Sequence, residues 1–396
     1  IERAAINNEI DSLYQIFAGL FPSFDENNLD QKSFEPKEKR ISPFSMNSEM
    51  ERKFSYLFSS DLVNSREDAF ILALLKAGLK PISYETALYL TAAKLDWQEV
   101  ILKAKKHKIG ALIYYHLKPY LNDLPISSEQ IETLRKMHDW TVSFNEHMYR
   151  DIKTLAQELN KRKIKYILLK GALLVATVYN HKPLRPVGDI DILVKEEDIE
   201  SVQEIIKTLG YQPTIEDEKI RKLYRTSHHH LVPYYKKHDS KNTVIEIHRS
   251  LVPLPSVLGF GEDEIWDKAI PITIDNTQVN SLSCEQMVHY LCIHGLFTDA
   301  SITLRQILDL SLVIRHFADD IDWQKLSDIV KKSVLSKSVY IALNLVKEMC
   351  STPVHLDYTP KFTFIDKKLI KSLRRGVFND VKFLPPALVQ LLLLEG

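Results

Sequence analysis

The sequence predicts an α+β protein: a small mixed β-sheet core flanked by N-terminal and C-terminal helical subdomains. Strand-forming apolar runs cluster in the middle of the 396-residue chain, at 165–169, 189–194 and 243–248. Apolar residues at helical spacing fill 47–126 before them and dominate from Ser283 onward. The strands are too few for a doubly wound dinucleotide-binding sheet.

Taken in order, residues 1–46 read as a short amphipathic helix, Ile6 to Phe21, followed by a polar linker to Pro43. Residues 47–150 read as a helical subdomain. Helices are expected over Glu67 to Ala77, from Ser83, from an acidic cap at Asp96, over Ile109 to Leu117, and over Ser127 to Lys161 as one rod or two. The core, 151–282, begins with an apolar strand running into Leu169-Lys170-Gly171-Ala172, with a helix expected over Leu173 to Tyr179. Arg185-Pro186-Val187-Gly188 then leads into a second strand. A helix over Asp198 to Leu209 ends at Gly210, and further strands follow near His230 to Tyr235 and at Thr243 to Arg249. A hairpin turns at Asp275-Asn276. Residues 283–396 form the C-terminal helical subdomain, with helices over Thr303 to Phe317 and Asp322 to Lys332.

Lys+Arg and Asp+Glu both number 52, so no bulk field draws in nucleic acid. The basic runs 103–108 and 161–165 read as solvated helix faces, without the interleaved aromatics of a single-strand-binding surface. Three scattered cysteines make no disulfide framework and no zinc pattern. With no secretory signal at Ile1 and only a short apolar run at 391–394, a cytoplasmic protein without a membrane span is expected.

The chemistry concentrates in Gly188-Asp189-Ile190-Asp191-Ile192-Leu193-Val194. On a strand, Asp189 and Asp191 share one face while Ile190 and Ile192 point the other way. Paired like charges call for a cation between them, and hard carboxylate oxygens suit Mg²⁺. Lys170 and Gly171 stand where backbone and a point charge can approach phosphate, and Arg185 is carried toward the acids on a proline-stiffened loop. Arg185 is read either as a phosphate clamp or as an ion-pair partner of Asp189 or Asp191. In Thr243 to Arg249, Glu246 and His248 share a face opposite Ile245 and Ile247. Adjacent histidines at 228–230 cannot all face one ion on a strand, and they read as edge residues. Arg305 and Asp309, four apart, read as an intrahelical pair.

Leu-Lys-Gly followed by Arg-Pro-x-Gly-Asp-Ile-Asp-Ile-Leu-Val resembles a bacterial family of uncharacterised nucleotidyltransferases within the polymerase-beta-like superfamily. It is also similar to nucleotidyltransferase-like toxins. The resemblance implies a third carboxylate on a neighbouring strand, for which Glu246 is the candidate. Asp189, Asp191 and Glu246 would then hold Mg²⁺ or Mn²⁺. Lys170, Gly171, Arg185, Gly188 and His248 would contact an NTP such as ATP; the resemblance also implies that His228 or His230 joins His248 near the cleft, and allows His294, Arg305 and Asp309 to face it. Transfer of an NMP group to an acceptor hydroxyl on a small molecule, protein or RNA would follow. The alternatives are a nucleotide- or partner-binding module without turnover, favoured by Ala172 where the superfamily usually has Ser or Gly, and a toxin-like enzyme modifying tRNA or protein.

Overall fold

The computed structural model describes residues 62–91, 95–180, 183–238, 241–298, 301–378 and 393–394, all within the compact unit Leu57–Gly396. The expected helix at 6–21, the linker to Pro43 and half of the run at 391–394 lie outside these residues.

The N-terminal helices are α1 (Arg66–Ala77), α2 (Tyr84–Thr91), α3 (Trp97–Lys106), α4 (Gly110–Leu117) and α5 (Ser128–Lys161). Ser65 and Asp96 cap α1 and α3 by accepting from backbone N–H groups that have no intrahelical partner. The stretch from Ser127 to Lys161 is a single rod of 34 residues opened by a capping box between Ser127 and Gln130. One face of α5, including Met148, Ile152, Leu155 and Leu159, is buried.

The core begins with β1 (Tyr166–Leu168), α6 (Lys170–Ala176) and β2 (Ile190–Val194). It continues through α7 (Ile199–Thr208), β3 (Gln212–Pro213), α8 (Glu218–Ser227), β4 (Tyr234–His238) and β5 (Lys241–His248). The five strands form one mixed sheet in the order β1-β2-β5-β4-β3, with β2 and β5 parallel and the other neighbours antiparallel. Ile190, Ile192, Ile245 and Ile247 are all buried, as the alternation predicted. After α9 (Glu262–Asp267), β6 (Ile270–Ile274) and β7 (Thr277–Ser281) pair as a separate hairpin. Its turn residues Asp275 and Asn276 both take positive φ, 45° and 62°, as a two-residue primed turn requires.

The C-terminal helices are α10 (Cys284–Ile293), α11 (Leu304–His316), α12 (Trp323–Lys332), α13 (Ser336–Cys350) and α14 (Phe364–Gly376). All three cysteines are buried and free. Among the described residues, no helix is long and apolar enough to cross a membrane.

Two expected elements move. The helix after β1 starts at Lys170 rather than Leu173, so Gly171 lies in its first turn and Lys170 takes a left-handed φ of 45°. The strand expected near His230 begins only at Tyr234; His230 contributes an isolated bridge to His248. The capped start of α8 at Asp217 carries helix as far as Ser227 and leaves His228 to His230 as an irregular connection.

Candidate active site

The parallel register of β2 and β5 sets Asp191 opposite Glu246 and Leu193 opposite His248. Because side chains alternate along each strand, Asp191, Glu246 and His248 emerge on the same face. One ligand atom from each lies within 4.8 Å of the other two. Asp189 precedes β2, half-buried, and lines the same cleft of about 360 Å³.

Asp191 is fully buried. Its Oδ1 accepts from Lys170 Nζ at 2.9 Å and from His248 Nε2 at 2.8 Å. Burial works against its negative charge, but Lys170 and the His248 hydrogen bond outweigh that and hold its carboxyl far below the usual range. Asp189 goes the other way. Burial, and then the charge of Asp191, push its pKa up to about 6. His248 stays protonatable despite burial because Asp191 and Glu246 both favour its cation.

The other oxygen of Asp191, Oδ2, is shut away from solvent and accepts no hydrogen bond from a described residue. A buried carboxylate oxygen in that state is destabilised by roughly 1–3 kcal/mol or more until a donor or cation reaches it. Asp191 groups with Glu246 and His248 beneath the cleft, and Glu246 and Asp189 line it with hard oxygen donors. This donor set fits a divalent cation, although Lys170 already supplies one positive charge to Asp191.

Lys170 is therefore more than a strand end: its side chain is 16% exposed and reaches into the acids. Gly171 is needed for packing. A Cβ there would lie 2.3 Å from Arg185 Nη1. Arg185 is buried and lines the cleft, but its partner is neither expected acid. Its Nε donates to both oxygens of Asp309, at 2.8 and 3.0 Å, and Tyr179 Oη donates to the same carboxylate at 2.8 Å. The expected Arg305–Asp309 pair is corrected accordingly: Asp309 is taken by Arg185, and Arg305 lines the cleft without an ion pair among the described residues. Gly188 is exposed, with open space where a Cβ would stand, so nothing in its packing demands glycine.

Asn145 carried no signal in the sequence. Its side chain donates to Arg185 O at 2.9 Å and accepts from Val187 N at 3.1 Å, fixing the loop that delivers Asp189. Polar residues recur on the buried face of α5, with Thr141 and Asp151 beside Asn145, so its burial alone would not have marked it. Of the two histidines expected near His248, the structure brings His230 there. His229 and His230 both line the cleft, whereas His228 is exposed and stacks on Tyr224 at 3.8 Å between centroids. Burial, then the charge of His248, push His229 down to about 3, so it is neutral at pH 7. His294, from the π-helical turn after α10, lines the cleft too. Of the basic run 103–108, Lys103 is buried against Asp68 at 2.5 Å rather than solvated.

A mixed sheet brings acidic side chains beside a Lys-Gly turn, and arginines line the same cleft. The family model of uncharacterised nucleotidyltransferases matches residues 93–351, and the chain belongs to that family. Among solved structures it is similar to an antigenic nucleotidyltransferase-like protein from Paracoccidioides brasiliensis. Identity there is 12%, coverage 53% of this chain and 95% of that one, and the TM-score 0.31. No curated protein matches the chain.

Proposed function

We propose that the chain is a metal-dependent nucleotidyltransferase that moves an NMP group from an NTP to an acceptor hydroxyl, with release of pyrophosphate. The observation that carries this reading is the register pairing Asp191 with Glu246, which leaves the buried Asp191 Oδ2 aimed at no donor. Asp191, Glu246 and Asp189 would hold Mg²⁺ or Mn²⁺, with His248 orienting Asp191 through its Nε2–H. A divalent ion there would supply charge to the α-phosphate and to the departing pyrophosphate.

Lys170 contributes a fixed positive charge at Asp191 and a point of contact for phosphate oxygens. In the reaction the acceptor oxygen bonds to the α-phosphorus as the bridge to the β-phosphate breaks. The hydroxyl proton passes to solvent. Little covalent chemistry is asked of the protein, so positioning and charge carry the step. Family membership supports the NTP as donor, while the acceptor class is open to experiment.

Incubation with each α-labelled NTP, Mg²⁺ or Mn²⁺, and a cell extract should give label transfer and pyrophosphate release. Both should vanish in Asp191→Asn. A second reading, a nucleotide-binding module without turnover, draws on the Lys170–Asp191 pair, whose ammonium already occupies one carboxylate oxygen. Tight NTP binding without transfer under either metal would select it.

A further inference from the structure

The wall opposite the acids holds a second concentration of charge, of the other sign. Arg305 lies in the first turn of α11, where the helix dipole disfavours a cation and where no acidic residue stands. Its Nε is shut from solvent with no hydrogen-bond partner. The carboxylate four residues along, Asp309, is engaged by Arg185 and Tyr179. Arg305 and Arg185 nonetheless line one cleft, and only Arg185 is paired with the carboxylate.

A third cation comes from the N-terminal helices. Leu304 N, the residue before Arg305, donates to His107 Nδ1 at 3.3 Å, and His107 Nε2 donates to Phe378 O at 2.9 Å. These bonds fasten the end of α3 to the start of α11 and bring the exposed Lys108 alongside. Lys108 adopts the left-handed position just after a helix, φ 55°, which glycine or asparagine ordinarily fills. Desolvation and then Arg305 lower its pKa; Asp189 opposes them and Arg185 adds to them, so all four charges feel one another. Burial and Arg185 likewise push Arg305 down. Asp309 is held by Arg185 and Asp189 lies toward the acidic end, so three crowded cations outnumber the carboxylates near them and complement a polyanion.

We propose that Arg305 and Lys108, with Arg185 held by Asp309, form a subsite for the terminal phosphates of a nucleoside triphosphate, and that this subsite selects triphosphates over diphosphates. The proposal rests on the nucleotidyltransferase reading for the identity of its ligand. It assigns the two helical flanks a direct share in substrate recognition: α11 supplies one cation and the junction of α3 and α4 another.

The test is calorimetric titration of the full chain with inorganic tripolyphosphate, without metal and with Mg²⁺. Wild type should bind it. Arg305→Gln should weaken binding about 10–100-fold, the scale of a lost charge-assisted contact, and Lys108→Gln by about 3–10-fold. Without ligand, Arg305→Gln should melt no lower than wild type, because it removes an unpaired charge. A structural role would lower it. Equal tripolyphosphate affinity in wild type and Arg305→Gln, or no binding by wild type, overturns the subsite. The two readings fail separately. Tripolyphosphate binding that depends on Arg305, in a protein that transfers no label, keeps the subsite and removes the enzyme. Label transfer with an NTP KM unchanged in Arg305→Gln keeps the enzyme and removes the subsite.

Discussion

At the acidic end of the cleft, Asp191 and Glu246 face each other because two parallel strands are in register, and each strand's alternation decides which way its side chains point. At the cationic end, Lys108, Arg185 and Arg305 come from a helix junction, a loop and a helix start that lie far apart in the chain. The acidic end is satisfied in part by Lys170 and His248 and keeps one orphaned oxygen. The cationic end has one carboxylate for two arginines. Each end carries an unmet charge, and the two are opposite in sign. A ligand that is a metal-bound polyphosphate would satisfy both at once.

The largest expected effect is at the acidic end. Replacing Asp191 by Asn removes the buried charge that Lys170 and His248 surround. Label transfer should fall at least about 10²–10³-fold, the cost of losing one preorganised electrostatic group. Steady-state assays under both metals check this. Full activity in the variant would detach the acids from the chemistry.

Next comes the pair that supports the cationic end. Asp309→Ala leaves Arg185 and Tyr179 without their shared acceptor in a buried site, and breaking such a pair typically costs about 3–5 kcal/mol. Urea unfolding should show that loss. A drop under 1 kcal/mol would mean that Arg185 finds water or another acceptor in place of Asp309.

These two ends also differ in how far the sequence disclosed them. Asp189, Asp191, Glu246 and His248 were legible because period-two alternation is written into a few adjacent residues, and Ile190, Ile192, Ile245 and Ile247 confirm the faces. The acidic cap at Asp96 likewise announced α3 before the structure did. Arg185 was found for its position, and of its two readings only the ion pair with Asp189 or Asp191 is overturned. Local spacing suggested Arg305 for Asp309, and a long-range contact took that carboxylate instead. Lys108 was hidden in a run of lysines that looks like any solvated helix face. Its position depends on His107 docking to α11, almost two hundred residues away in sequence. Asn145 was missed for the same reason: its function lies in a contact with the loop after α6, not in any neighbour on its own helix.

Gly171 joins the two ends, and Gly171→Ala sharpens the comparison with a smaller effect. The added Cβ would meet Arg185 Nη1 at 2.3 Å. An arginine tip can ordinarily swing aside, but this one is tethered to Asp309. Overpacking of this kind costs about 1–3 kcal/mol. The same variant combined with Asp309→Ala should lose less than the sum of the two single changes, because the tether would already be gone. Additive losses in urea unfolding would show that the glycine serves something other than Arg185.

The smallest expected effect is a pH dependence set by Asp189 in metal-free protein. Its pKa rises from 3.8 to about 6 on folding, through burial and the charge of Asp191. Between those values the native state binds more protons than the unfolded chain. The contribution of this group to stability is therefore full below pH 3.8 and is lost as pH rises toward 6. Asp189→Asn removes that dependence, so above pH 6 the variant should be the more stable protein, by on the order of 2 kcal/mol before solvent screening reduces it. Melting curves of both proteins from pH 4 to 7, in the presence of a chelator, measure the gap between them. The gap should open with rising pH and then close when Mg²⁺ or Mn²⁺ is restored to the wild type, since a cation favours the ionised carboxylate. A gap that ignores both pH and metal would place Asp189 outside the field of Asp191, and would leave Asp191, Glu246 and His248 to hold any ion by themselves.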